Sequence, residues 1–172
     1  PPWDSIDPEQ HWVEVDLTTM VTSGSRRGIR TNGTIVAVRR DSGIIERCPE
    51  CRRVLRDDAC IDHGPQRGVE DLRLRFVIDD GVSNASLLLA KDPSEAFLGM
   101  DQEAVKEQVD KDGQDGFAAF LRERVLARRL SVRGRSIIDD QGAMLLADEV
   151  EQDETTSADA ANEVMQRRGV VL

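Results

Sequence analysis

Residues 47–64 read RCPECRRVLRDDACIDHG, and they hold all three cysteines of the chain and one of its two histidines. The spacing is Cys48-x2-Cys51, eight residues, then Cys60-x2-His63. Each x2 pair makes a turn that aims two ligands at one point. Two such turns close a tetrahedron, the arrangement a structural Zn²⁺ takes. Pro49 stiffens the first turn, and Gly64 with Pro65 ends the second. Three cysteines are an odd number for a disulfide framework, and the chain shows no secretory h-region. All three are used if His63 is the fourth ligand. His11, nearer the N-terminus, is the second candidate for that place.

Other chemistries fit this spacing less well. A redox Cys-x-x-Cys needs a following helix in a thioredoxin-like pattern, and here a Cys-x-x-His follows instead. A catalytic zinc keeps one position open for water, and four protein ligands leave none. The deaminase signature pairs His-x-Glu with a later Cys-x-x-Cys, and His-x-Glu does not occur. No Ser/His/Asp set, phosphate-cradling glycine loop or isolated carboxylate pair points to an enzyme. The expectation is a structural Zn²⁺ whose removal loosens the loop.

Between the ligands, RRVLRDDA holds Arg52, Arg53 and Arg56 on the knuckle, where they meet phosphates or pair with Asp57, Asp58 and Asp62. Val54 and Leu55 can pack beneath the metal. Charge bounds the wider reading. The chain carries 23 basic and 33 acidic residues, a net −10. Only Lys91, Lys106 and Lys111 are lysines, against 20 arginines. An acidic, lysine-poor surface suits a high-salt cytoplasm, or is a plain compositional bias. A net −10 argues against a general nucleic-acid sponge. Residues 39–75, however, hold nine Arg against eight acids, about +1, and leave −11 on the remainder. No apolar run is long enough to span a bilayer, so a cytoplasmic protein without a membrane partner is expected. The Pro-Pro start is expected to be a processed end or the edge of a piece of a longer protein.

Along the chain, residues 1–24 read as an arm: a turn-rich PPWDSIDPEQ, then HWVEVDLTTMV with alternation for one strand. Trp3 and Trp12 pack the arm onto the body or a neighbour, or stack on a base. A basic loop then enters GTIVAVRR, DSG turns the chain, and IIER feeds the knuckle. Beyond it, Leu72, Leu74, Phe76 and Ile78 alternate with Arg73, Arg75 and Val77, a half-buried strand with arginines outside. Asp79-Asp80-Gly81 is a hairpin turn. Asp92-Pro93-Ser94-Glu95 predicts a helix capped by Asp92 and ending near Gly99. Asp101 caps a second helix through Val109, and KDGQDG is a loop. Phe117, Phe120, Leu121 and Val125 share the face of a third helix. LSVRGRSII and AMLLADEV are strands joined at Asp139–Gly142. Residues 151–172 read as an acidic linker and a C-terminal helix with a narrow stripe of Ala158, Ala161, Val164 and Met165, suited to docking on the body or joining partner helices.

Strand, knuckle, strand, strand, helices, strand, strand is the layout of the OB-fold. The expected fold is therefore mainly β with helices. A five-stranded OB-fold barrel spans residues 25–150, a zinc knuckle at 45–66 is inserted after its first strand, and a C-terminal helix follows. The nucleic-acid face of that fold uses the second and third strands and the loops after the first and fourth. Arg39, Arg40, Arg52, Arg53, Arg73, Arg75, Arg133 and Arg135 are the candidates there. Chance clustering in an arginine-rich chain is the competing account.

From about Gly33 to Val150 the chain resembles the archaeal replication protein A family, in the zinc-containing OB domain of its single-stranded-DNA-binding subunits. VAVRRDSGIIERCPEC, CIDHG, EDLRLRFVIDDG, SEAFLG and VRGR with MLLADEV carry the resemblance. The Cys/His spacing is its specific part. It implies single-stranded DNA binding in replication, repair and recombination. It also implies one structural zinc on Cys48, Cys51, Cys60 and His63, and assembly with other replication protein A-type subunits through the C-terminal helix. The chain departs from the family in its stacking aromatics. Phe76 alternates into the core, and Phe97, Phe117 and Phe120 fall on helices, so contacts would be mostly arginine to phosphate. The alternative function is a structural or oligomerisation module of such a complex with little direct DNA contact.

Overall fold

Alternation along one strand sets the inside of this protein. In the computed structural model, which describes residues 12–152 and 165–166, Leu72, Leu74, Phe76 and Ile78 are fully buried while Asp71, Arg73, Arg75 and Val77 between them are half-buried. The elements in chain order are β1 (Val13–Glu14), α1 (Leu17–Thr22), β2 (Arg26–Val38), β3 (Gly43–Arg47), β4 (Ala59–Cys60), β5 (Gly64–Pro65), β6 (Val69–Asp79), β7 (Asn84–Leu89), α2 (Lys91–Leu98), α3 (Gln102–Val125), β8 (Arg129–Asp139) and β9 (Gly142–Gln152).

β2 is long enough to serve two neighbours. Its earlier part pairs antiparallel with β8 and its end, Thr34–Val38, with β6. β6 pairs with β7, β7 runs parallel to β9, and β9 returns antiparallel to β8. Five strands thus pair in a closed circuit, β2-β6-β7-β9-β8. The sheet resembles the OB-fold. Among the described residues the expected count of five is corrected to seven, because β1 adds to β2 and β3 adds to β6. β3 takes up β6 where β2 leaves it: Val38 lies opposite Phe76, then Gly43 opposite Arg73. Residues 39–42 form an excursion between the two strands, so one β-rich run becomes two.

Before β2, the expected strand is only Val13–Glu14, and α1 follows it. Asp16 caps α1 by accepting from Thr19 N at 2.7 Å. Leu17 and Met20, one helical turn apart, are buried in the main core. A Thr-rich run has weak helix propensity, and that burial overrides it.

α2 begins two residues earlier than expected, with Ala90 as N-cap and no side-chain cap. Asp92 lies in its first turn. Pro93 falls where an N–H has no intrahelical acceptor to lose. The buried Ser94 hydroxyl fixes this start by donating to Leu89 O at 2.9 Å. Gly99 ends α2 in the left-handed conformation at φ 65°. Asp101 caps α3 as expected, accepting from Ala104 N at 2.8 Å. The expected KDGQDG loop is a kink at Gly113, φ 75° and ψ 171°, inside α3.

Phe117, Leu121 and Val125 of α3 join the strands' inner faces in one core. Cys48, Leu55 and Cys60 form a second, small cluster of their own. Among the described residues no helix is long and apolar enough to cross a membrane. Trp3, His11 and nearly all of the expected C-terminal helix lie outside the described residues; Met165 and Gln166 are helical.

Candidate functional site

The candidate metal ligands come from the connection between β3 and β6. Cys48 N donates to Arg53 O at 2.8 Å and Arg52 N to Cys48 O at 2.9 Å, which folds Cys48-x2-Cys51 into a tight turn. Asp57 and Asp58, both left-handed at φ 51° and 60°, reverse the chain, and Arg56 and Ala59 exchange hydrogen bonds across them. β4 then pairs with β5, Cys60 opposite Gly64, and presents Cys60 and His63.

The ligand atoms of Cys48, Cys51, Cys60 and His63 all lie within 4.8 Å of one another. Cys51 Sγ is 3.5 Å from Cys60 Sγ, and His63 Nδ1 is 3.5 Å from Cys60 Sγ and 3.7 Å from Cys48 Sγ. A tetrahedral zinc with Zn–S of about 2.3 Å and Zn–N of about 2.05 Å has edges of roughly 3.75 Å and 3.55 Å. The residues present therefore fit a metal ion. The other ring nitrogen, Nε2, faces Glu50 Oε2 at 3.4 Å. A backbone hydrogen bond at Asp62 does most to bring the Cys60 thiol down to about 6; burial opposes it and His63 assists. Cys60 thus favours the thiolate, the form that binds metal. Its hydrogen bond in turn raises the His63 pKa, with the Glu50 charge adding to that.

The candidate arginines separate into three places. Arg39, Arg40 and Arg75 line a groove of about 620 Å³ with Ala37, Val38, Asp41 and Val77. Arg73 joins them through Asp41, whose Oδ2 accepts from Arg73 Nη2 at 2.5 Å and from Arg75 Nη1 at 2.7 Å. Burial works to raise the Asp41 pKa, but the Arg75 hydrogen bond and the charges of Arg73 and Arg75 outweigh it and hold it below the usual value. Arg52 and Arg53 sit on the knuckle, where Arg53 pairs with Asp62. Arg133 and Arg135 are on β8. Arg133 pairs with Glu149, lies 5.6 Å from the Trp12 ring centroid, and lines a separate pocket with Arg30. That pocket and the groove share no lining residue. Among the described residues, the side chains of Arg39, Arg40, Arg52 and Arg135 make no ion pair.

Solved structures share this architecture. A replication protein A heterotrimer bound to ssDNA superposes at a TM-score of 0.58 with 13% identity, over 90% of this chain and 39% of that one. Yeast RPA bound to ssDNA superposes at 0.52 with 14% identity, over 90% of this chain and 96% of that one. The second OB-fold domain of replication protein A from Methanococcus maripaludis matches at 0.43 with 12% identity, over 84% and 98%. What the first two share with this chain at these identities is the fold. No protein-family profile matches the chain, and no curated protein matches it in sequence.

Sequence reasoning missed four participants. Asp41 and Ser42 lie in the DSG turn, read only as a turn; a carboxylate directly after Arg39-Arg40 was the available signal. Glu50 sits between two ligands, a common place for a residue that orients a third. Arg122 is brought by α3 to a second hollow of about 330 Å³ beside Arg39 and Arg40. No local pattern marks it, because only the fold makes them neighbours.

Proposed function

We propose that this chain is a single-stranded-DNA-binding subunit of a replication protein A-like complex, protecting single strands in replication, repair and recombination. In this reading the five-strand circuit is an OB barrel. Cys48, Cys51, Cys60 and His63 hold one structural zinc, which supplies a cross-link between two turns. The observation that carries the reading is the groove of Arg39, Arg40 and Arg75, which follows the first long strand, where OB-folds bind nucleic acid. The neighbours' ssDNA complexes support the ligand. Arg52, Arg53, Arg133 and Arg135 extend the phosphate contacts. Phe76 is fully buried, so this groove binds by charge more than by stacking. The C-terminal helix joins partner subunits.

A second reading, the assembly module with little DNA contact, is favoured by one observation. Arg53, Arg73, Arg75 and Arg133 all spend charge on the chain's own carboxylates. Binding of fluorescent oligo-dT and matched duplex across a KCl series, before and after chelation, decides between them. Salt-sensitive preference for the single strand supports the first. No binding by a folded, zinc-loaded chain sinks it, and loss of assembly on removing 155–172 then supports the second.

A further inference from the structure

One carboxylate oxygen, Asp41 Oδ2, takes both Arg73 and Arg75, alternate residues on the outer face of β6. A non-bridging phosphate oxygen is held by paired guanidiniums in the same manner. Two further observations mark this as a built anion site. The Arg73 side chain is 13% exposed, and its Nε is buried with no hydrogen-bond partner, so the site has an unmet donor. The loop carrying Asp41 is also pinned from behind. Ser42 Oγ donates to Arg75 O and accepts from Arg75 N, each at 2.9 Å, and a Cβ on Gly43 would lie 2.9 Å from the Phe117 ring. The backbone is thus fixed while the Asp41 side chain, 39% exposed, borders the groove beside Arg39 and Arg40.

Resting on the single-strand reading above, we infer that Asp41 fills a phosphate subsite of the groove in the free protein and that a phosphodiester of the bound strand displaces it from Arg73 and Arg75. Two anions on one guanidinium pair repel, so the strand binds against Asp41 until the carboxylate turns away. Asp41 thereby weakens every complex that uses this subsite by the same factor.

The test compares fluorescent oligo-dT binding to the zinc-loaded wild type and to Asp41→Asn across a KCl series. About tenfold tighter binding at low salt is expected for the variant. The slope of log affinity against log salt should steepen by no more than about 0.7, the equivalent of the one carboxylate charge removed. Asp41→Ser must reproduce the gain, and Arg73→Gln placed in Asp41→Asn must remove it. A wild type that binds while both Asp41 variants bind no tighter overturns the inference and leaves the single-strand reading standing. Absence of binding by wild type and variants alike, each with a normal unfolding transition, overturns both.

Discussion

Glu50 Oε2 faces Nε2 of His63 at 3.4 Å, which leaves Nδ1 as the nitrogen turned toward Cys48 and Cys60. A carboxylate behind a ligating histidine fixes its tautomer and ring orientation, and its loss typically costs 10–100-fold in metal affinity. Glu50→Ala is accordingly expected to weaken zinc binding about tenfold by chelator competition, while Glu50→Gln retains most of it. Equal affinity in all three proteins would mean that Glu50 is a bystander.

Chelation is expected to act on one cluster and spare the other. The Cys48, Leu55 and Cys60 cluster is separate from the main core of Leu72, Phe76, Leu87 and Phe117. Removing the metal should abolish hydrogen-exchange protection at Leu55 N and Gln66 N, which bond to Glu46 O and Asp58 O. Protection within β6 and β7 should persist. Uniform loss across both regions would show that the knuckle and sheet unfold as one unit.

Asp41 predicts an acid limb of stability. Its folded pKa lies below its unfolded value of about 3.9. The native chain therefore holds fewer protons there than the unfolded one, and stability rises with pH through that window. The contribution is complete above about pH 5 and lost as pH falls through the lowered folded value. Urea midpoints for wild type and Asp41→Asn should differ near neutrality and converge in acid. A constant difference down to low pH would contradict the pairing.

Gly134 tests the irregular seam between β8 and β9, inside the sheet. The β8–β9 register shifts between Arg133 and Gly134, and a Cβ on Gly134 would sit 2.0 Å from Leu146 O. Backbone must move to admit it, so Gly134→Ala should cost about 2–3 kcal/mol in chemical denaturation. A loss within 0.5 kcal/mol, the range of an ordinary surface change, would mean the strands separate freely there.

The two helix starts give a paired comparison. Asp101→Ala removes the bond to Ala104 N and should cost about 1 kcal/mol. Asp92→Ala removes no capping bond, and only a few tenths of a kcal/mol from the helix dipole are expected. Equal losses would restore Asp92 as a cap.

That pair also shows how far the sequence could be read. Asp92, with Pro93 and Glu95 after it, carries a fuller local signal than Asp101, and the Ser94 bond to Leu89 O, made by the strand before it, moves the start of α2. Periodicity placed Leu72, Phe76 and Ile78 inside because a strand's two faces are fixed by alternation alone. Cys48, Cys51, Cys60 and His63 were legible for a similar reason: their turns are local. The partners of Arg73 and Arg133 were not. Asp41 lies 32 residues from Arg73 in the chain, and Glu149 meets Arg133 through the register of β8 on β9. Net charge and arginine counts say nothing about which cations a fold will neutralise.

The parallel seam between β7 and β9 has a consequence for how the chain is made. Ser86–Leu89 must wait for Met144–Ala147, with both helices and β8 coming first. During synthesis β7 therefore emerges with one edge bare, and Leu87 and Leu89 beside it lack their final cover. Such an edge invites pairing with another chain. A nascent chain stalled before β9 would be a substrate for chaperones, and β9 is the strand that removes it from their reach.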